Sequence, residues 1–292
     1  MTYSIVARNP ETGEFGVAVQ SKYFGVGIVT WARPGVGAVA TQAQVQVSYG
    51  PLGIELMGFG LGARATLDAL LAADSRREHR QVAMVDSAGQ VAVHTGGNCI
   101  AHAGHSTGDG YSTQANIMLH PTVWDAMAMA YEATAGSLAE RLFAALVAAE
   151  GEGGDARGRQ SAALLVVPAE GKAWERLIDL RVDDHPDPLG ELRRLIDLQE
   201  AYARHGRAMG RFMRGETDAL AELEAAMAGA PDDVNLTFPY AAALVAAGRA
   251  DEARAVLESI VEMEPGWREM PRRLHAAGVL PLDPGLIESL LP

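Results

Sequence analysis

Hydrophobic positions recur in short blocks along the first 186 residues and in long segments of helical period thereafter. Residues 2–7 and 15–20 are β-type runs separated by Asn9-Pro10-Glu11-Thr12-Gly13, a turn composition that predicts a hairpin. Further strands are expected at 25–31, 37–43, 81–86, 90–94, 161–167 and 176–182, with Asp86-Ser87-Ala88-Gly89 turning a second hairpin. Apolar residues spaced three and four apart predict helices at 51–58, 63–73, 122–133 and 138–150. Ala162-Ala163-Leu164-Leu165-Val166-Val167 is apolar at every position, so both faces of that strand need cover. Strand blocks at both ends with helices between them predict an α+β domain of stacked sheets with helical outer layers.

Past Pro186 the composition turns to Ala, Leu, Glu and Arg. Asp187 as N-cap and Pro188 in the first turn predict a helix running to about residue 205. Pro231 and Pro265 then stand 34 residues apart, with Tyr240, Leu244, Gly248, Ala253 and Leu257 at tetratricopeptide-like positions between them. An earlier copy aligns Ala219, Leu223 and Pro231, but Gly206 and Gly210 fall where its first helix wants Tyr and Leu, so that copy is degenerate. Residues 267–291, broken by Gly278 and Leu280-Pro281, read as a capping helix pair. Two domains are expected, 1–186 and 187–292. The second is too short for the long concave face of a solenoid and is expected to pack on the first domain, to engage a protein partner or to drive homo-oligomerisation.

Composition narrows the function classes. A net charge of −13 over 292 residues, with no basic run of five, argues against a nucleic-acid surface. No apolar run approaches the roughly 18 residues of a membrane span, and MTYSIVARNP has neither a basic region nor a cleavage site, so a cytoplasmic chain is expected. The single cysteine, Cys99, leaves no internal disulfide and no multi-thiolate metal site within one subunit; no cofactor is expected. Of the basic residues 22 are Arg and two are Lys, Lys22 and Lys172, and only a lysine can lose its proton near neutral pH.

Candidate chemistry starts at Thr2. Removal of Met1 would make it the first residue, joining a hydroxyl nucleophile to an α-amine whose pKa of about 7.7–8.0 suits a general base. A retained Met1 would block that mechanism. Ser4 lies on the same strand face by period two, as a polar neighbour or an alternative nucleophile.

Thr2-Tyr3-Ser4-Ile5-Val6-Ala7-Arg8 and Gly110-Tyr111-Ser112-Thr113-Gln114-Ala115-Asn116, together with residues 14–22, 35–42, 154–164 and 181–186 in the same order, resemble the bacterial domain-of-unknown-function family 1028. The resemblance covers nearly all of residues 1–186. It implies a four-layer αββα sandwich of the N-terminal-nucleophile hydrolase type. The activity it implies is cleavage of an amide or related C–N bond in a small polar substrate, with Thr2 as nucleophile. Against that background Lys22 is a candidate to lower the amine pKa or steady an oxyanion, or else a solvated strand-end cation. Gln42 and Asn116 are candidate carboxamide donors to the oxyanion or substrate, or turn caps; Gln114 belongs to the same motif as Asn116. Asp155 and Arg157 suit a charged substrate group or each other, and Gln160-Ser161, which leads directly into the following strand, is a candidate to face the same cleft. Gln44 and Gln46 stand where the family resemblance implies an Asn-rich segment, which bears on specificity.

Two further clusters read as structural. Asp183-Asp184-His185 precedes a helix entry, and neighbours on an extended chain point apart. Cys99, His102 and His105 share a stretch that Gly104 and Gly108 mark as a loop, too tight for a tetrahedral zinc site. No metal is expected. The competing functional reading is a catalytically inactive hydrolase-fold protein that binds a ligand or acts as a scaffold, with a helical module for its partner.

Overall fold

The computed structural model describes residues 2–216 and 218–278. They fall into two compact units, 1–195 and 196–292. In the first, β1 (Thr2–Arg8) and β2 (Phe15–Ser21) form the expected hairpin, whose turn is held by the Asn9 backbone N–H on Glu14 O and the Asn9 side chain on Glu11 N. β3 (Thr30–Arg33) and β4 (Gly37–Ala43) follow, then helices α1 (Tyr49–Gly58) and α2 (Ala63–Ala72). Next come β5 (Arg80–Asp86), β6 (Val91–Thr95), β7 (Gly104–Gly108) and β8 (Tyr111–Asn116). Helices α3 (Val123–Ala133) and α4 (Leu138–Gly151) precede β9 (Ser161–Val167) and β10 (Ile178–Val182).

Two antiparallel sheets result, one ordered β10-β9-β2-β1-β8-β7 and the other β3-β4-β5-β6. Their inner faces meet in a buried cluster in which Val6, Val17 and Leu165 of the first sheet oppose Ala38, Ala40 and Ala83 of the second. Large side chains on one sheet against alanines on the other let the layers interdigitate. The outer face of the second sheet is covered by α1 and α2, through Val39, Val82 and Met84 against Ile54 and Leu67. On the first sheet, α4 packs on β1, β2 and β9, and α3 on β7 and β8. Asp86 ties the second hairpin to the α1–α2 layer: its Oδ1 accepts from Ala88 N and Gln90 N, and its Oδ2 accepts from Ala63 N at the start of α2.

Three expectations are corrected. The strand expected at 25–31 begins at Thr30. Before it, Gly25 sits in the left-handed region (φ 63) with its N–H on Asp183 O, and a 3-10 turn follows at Val26–Val29. The supposed loop around Gly104 and Gly108 is the edge strand β7. Gly104 is there because a Cβ would come within 2.5 Å of the Trp124 ring, a packing demand that sequence cannot distinguish from a turn. The last strand starts at Ile178 rather than residue 176.

Close approach also explains Gly50 in α1, where a Cβ would meet the Trp31 ring at 2.1 Å. Alanine gains up to about 1 kcal/mol in helix propensity, whereas forcing a methyl into a filled core costs about 1–3 kcal/mol. Overpacking wins, so Gly50→Ala should lower the unfolding free energy by about 1–2 kcal/mol in urea titration. A stabilised variant would show that Trp31 yields freely.

The helix after Pro186 is α5 (Pro188–Met213), continuing past the expected end at 205 and carrying Gly206 and Gly210 inside it. Asp187 accepts from Gly190 N at its start, the entry role expected of it. Buried Leu189 and Leu192, with Arg193 on both Glu140 oxygens at 2.8 and 2.9 Å, belong to the first unit, which therefore ends a few residues beyond 186. In the second unit α6 (Ala219–Ala228), α7 (Val234–Ala246) and α8 (Ala250–Met263) bury Leu223, Tyr240, Leu244, Ala253 and Leu257, the positions picked out by the 34-residue period. Phe238 and Trp267 stack on the same core with centroids 5.1 Å apart, and α9 (Met270–Ala276) follows. The rest of the expected capping pair, beyond residue 278, lies outside the described residues.

Candidate active site

Four neighbouring strands carry a row of polar residues at one end of the first sheet. The register aligns Ser161, Ser21, Thr2 and Asn116 across β9, β2, β1 and β8. Thr2 is 5% exposed, and its Oγ1 donates to Ser21 Oγ at 3.1 Å. Its carbonyl accepts from Gln42 Nε2 at 3.1 Å and, more weakly, from Asn116 Nδ2 at 3.4 Å. Ser161 donates to Tyr23 O and accepts from Val26 N at 3.1 Å, which fixes the segment beside Thr2.

Beneath this row a polar network joins the two sheets. Ser4 Oγ donates to Gln42 Oε1 at 2.7 Å and accepts from Gln114 Nε2 at 2.6 Å; Ser112 Oγ donates to Gln114 Oε1 at 2.9 Å. Gln42 and Asn116 both donate to Gln81 Oε1, at 2.7 and 2.9 Å, while Gln81 Nε2 reaches Thr95 Oγ1 and Ala115 O, each at 2.9 Å. All of these carboxamides are buried. Such a network holds its members rigidly because each unmade bond inside it costs about 1–3 kcal/mol.

A cavity of about 140 Å³ opens on Thr2 and Gln42, with the exposed side chains of Tyr23, Ile28 and Val45 at its mouth. A second, of about 350 Å³, shares Tyr23 and Ala43 with it and extends past Asn116 to His79, Cys99 and Arg157. Ala43 (φ 68) and Ile117 (φ 54) are the two non-glycine residues with positive φ among the described residues, and both wall the larger cavity. Each directly follows a network carboxamide, Gln42 or Asn116. A β-branched residue in this region is strained, and such strain gathers at functional sites.

Asp155 holds the rim. Its buried carboxylate accepts from the backbone N–H of Lys22 at 3.1 Å and of Arg157 at 2.9 Å, and pairs with Arg157 through Nε at 3.2 Å and Nη2 at 2.9 Å. Lys22 and Gln160 do not bring their side chains here. The Lys22 ammonium is exposed beside Arg159 O at 3.4 Å, Gln160 Nε2 donates to Asp184 Oδ1 at 3.0 Å, and neither lines either cavity. Ser21 and Ser161 occupy the inward positions, and period two sends their neighbours outward. Ser4 is fully buried under Gln42 and Gln114, so no substrate reaches its hydroxyl. Of Thr2, Asn116, Gln42, Gln114, Ser4, Asp155 and Arg157, the fold brings all seven to one end of the sandwich.

Sequence reasoning passed over Ser21 and Gln81, and named Ser161 only beside Gln160. Ser21 was within reach: Arg8 opposite Phe15 in the hairpin puts Thr2 opposite Ser21. Gln81 had no such signal, because it arrives on the other sheet. Cys99 lines the larger cavity, but burial pushes its thiol pKa up and its Sγ donates to Arg80 O at 3.3 Å, which disfavours the thiolate. Among the described residues no three His, Cys, Asp or Glu side chains are grouped to hold a metal ion. Asp183 and His185 instead serve the chain itself, through Asp183 O on Gly25 N and His185 Nδ1 on Asp187 N.

The far wall of the larger cavity depends on an ion pair. Arg80 Nε binds Asp74 at 2.8 Å while its Nη1 donates to Gln44 O at 2.6 Å, and Tyr49 OH donates to Asp74 at 3.0 Å. The Arg80 hydrogen bond, helped by Arg76 N and Tyr49 against the opposing effect of burial, holds the Asp74 carboxyl down to about 2 from an ordinary 3.8. A depressed carboxyl adds stability that is complete above about pH 4 and is lost as pH falls towards 2. Asp74→Asn should therefore melt below the parent at pH 7, and the gap should close as pH falls from 4 to 2. A gap independent of pH would remove the ion pair as its cause.

The chain matches known proteins in both units. A model described as a family of unknown function, DUF1028, matches residues 2–192, and a tetratricopeptide-repeat model matches 217–277. The crystal structure of protein SPO2555 from Silicibacter pomeroyi, assigned to the same family model, is 31% identical; the match covers 67% of this chain and 87% of that one, with a TM-score of 0.61. No curated protein matches the chain. No described helix is long and apolar enough to cross a membrane.

Proposed function

We propose, since the chain belongs to the family of unknown function DUF1028, that its first unit is a hydrolase of the N-terminal-nucleophile type, a four-layer αββα sandwich that cleaves an amide-type C–N bond of a small substrate. The observation that carries this reading is the placement of Thr2. It stands at the end of a central strand, on the floor of a cavity, with a second hydroxyl and two carboxamides converging on it.

In this mechanism Thr2 Oγ attacks the substrate carbonyl as its proton passes to the Thr2 α-amine, which is free once whatever precedes it has been removed. The C–N bond breaks and the amine leaves with that proton, while the acyl group remains as an ester on Oγ. Water, deprotonated by the same amine, then attacks the ester, releases the acid and restores the hydroxyl. Gln42 anchors the Thr2 carbonyl. Asn116, whose bond to that carbonyl is long at 3.4 Å, is the donor with most freedom to turn onto an oxyanion. Lys22 contributes through its main chain, by way of Asp155, rather than through its charge.

Intact-mass measurement of active material tests the reading, since quantitative retention of Met1 would sink it. The competing reading, an inactive ligand-binding or scaffold protein, is favoured by one observation: both carboxamide nitrogens nearest Thr2 are already bonded within the protein. It predicts that Thr2→Ala leaves every phenotype intact. For the helical unit we assign a role in protein–protein association, supported by its tetratricopeptide-like repeat. Light scattering of the full chain over a range of concentrations distinguishes a second copy of the chain from a foreign partner.

A further inference from the structure

We propose that the substrate of this site is an N-acyl amino acid, with an apolar acyl group in the smaller cavity beside Thr2 and a carboxylate on the amine half received by Arg157 in the larger one. The proposal rests on the reading of Thr2 as the attacking residue, which sets where the scissile carbonyl lies.

The smaller cavity is apolar on the side away from Thr2, lined by Tyr23, Val26, Ile28, Val29 and Val45. Its volume of about 140 Å³ is close to that of a hydrocarbon-lined cavity, about 150 Å³, known to hold benzene. An acyl group of about six non-hydrogen atoms fits by that measure. Burial of methylenes there favours an apolar acyl group, and a polar one would lose its hydration on entering.

The larger cavity, also largely apolar in its lining, adds a cation. Among the described residues, Arg157 and His79 are the basic side chains that line it and no Asp or Glu does, in a chain whose net charge is −13. The Asp155 side chain that grips the guanidinium is 0% exposed, whereas that of Arg157 is 34% exposed, so the cation and not its counter-ion faces the space. With its plane held through Nε and Nη2, the guanidinium loses little freedom on meeting a carboxylate, the anion its geometry suits. Gln44, Asn98 and Asn116 add neutral hydrogen-bonding groups suited to the substrate amide. Thr2 lines the first cavity and its strand neighbour Asn116 the second, while Tyr23 and Ala43 wall both, so the two halves of such a substrate would join at the nucleophile.

The test is calorimetric binding to full-length Thr2→Ala protein, which cannot turn over the ligands. The probes are N-butanoylglycine, N-butanoyl-β-alanine and N-butanoyl-4-aminobutyrate, which step the carboxylate outward, each beside its primary carboxamide. At least one acid should bind ten or more times tighter than its carboxamide. In protein that also carries Arg157→Gln the ratio should fall to twofold or less, and Arg157→Lys, which keeps the charge but not the two-point grip, should give an intermediate ratio. Exchanging butanoyl for the isosteric methoxyacetyl group should weaken binding several-fold. Equal binding of acid and carboxamide, insensitivity to methoxyacetyl, or no binding by any acid would overturn the proposal. Selective binding without any Thr2 labelling would strike only the catalytic reading; Thr2 labelling with unselective binding would strike only this one.

Discussion

Protein that begins at Thr2 should take up one acyl group from a small β-lactone or activated amide, and Thr2→Ala should take up none. The adduct is an ester, so mass spectrometry should find it on the N-terminal peptide and hydroxylamine should release it. Hydrolysis of the corresponding amides should fall by about 10³-fold or more in Thr2→Ala, the scale on which losing a covalent nucleophile acts. The fold should survive the change, because the Thr2 hydroxyl makes one hydrogen bond, to Ser21, worth about 1 kcal/mol. Serine in its place should keep part of the activity, since it retains both the hydroxyl and the α-amine. Undiminished hydrolysis by Thr2→Ala would dismiss Thr2. Cys99, on the wall of the larger cavity, would then be the residue to substitute, whereas Ser4 is sealed beneath two carboxamides.

The second large effect is on stability. Gln81→Leu keeps the side-chain volume but deletes the acceptor shared by Gln42 and Asn116 and the donor that reaches Thr95 and Ala115 O. With buried, unpaired N–H groups costing about 1–3 kcal/mol each, a loss of about 3–5 kcal/mol is expected in urea titration. Leucine burial offsets only part of it, because the polar partners around the site stay behind. Gln42 and Asn116 would also be released from the positions that hold the Thr2 carbonyl, so Thr2 labelling should slow in whatever variant still folds. A cost under about 1 kcal/mol would mean that the network relaxes around its centre instead of bracing the two sheets.

Much of the fold was legible because the signals involved are local. The Asn9–Gly13 turn and the period-two runs located the first hairpin, the Asp187-Pro188 entry located α5, and the 34-residue spacing picked out Tyr240, Leu244, Ala253 and Leu257 as core. Where local signals are ambiguous the reading failed. Gly104 and Gly108 resemble turn residues but sit in a strand, beneath Trp124 and Tyr111. Gly25 and Thr30 bracket a 3-10 turn inside a run with strand composition. For the candidate site, strand parity correctly put Thr2 and Ser4 on one face, yet it could not show that one lines a cavity while the other lies sealed. Lys22 and Gln160, chosen for their motifs, lend their main chains; Ser21 and Ser161, one position away, lend their side chains.

The sequence by itself determined the alternation of strands and helices, the face on which each strand residue points and the helical repeat, since all of these follow from turn chemistry and side-chain periodicity over a few residues; the family was legible from the resemblance of its motifs. Only the tertiary structure decided that Gln42 and Gln81 of one sheet meet Ser4, Gln114 and Asn116 of the other, and that the carboxylate gripping Arg157 also holds the backbone N–H of Lys22. Those meetings join residues up to 133 positions apart. They are set by the strand register and by the packing of one sheet on the other, which depend on burying whole faces at once and leave no mark on any short stretch of chain.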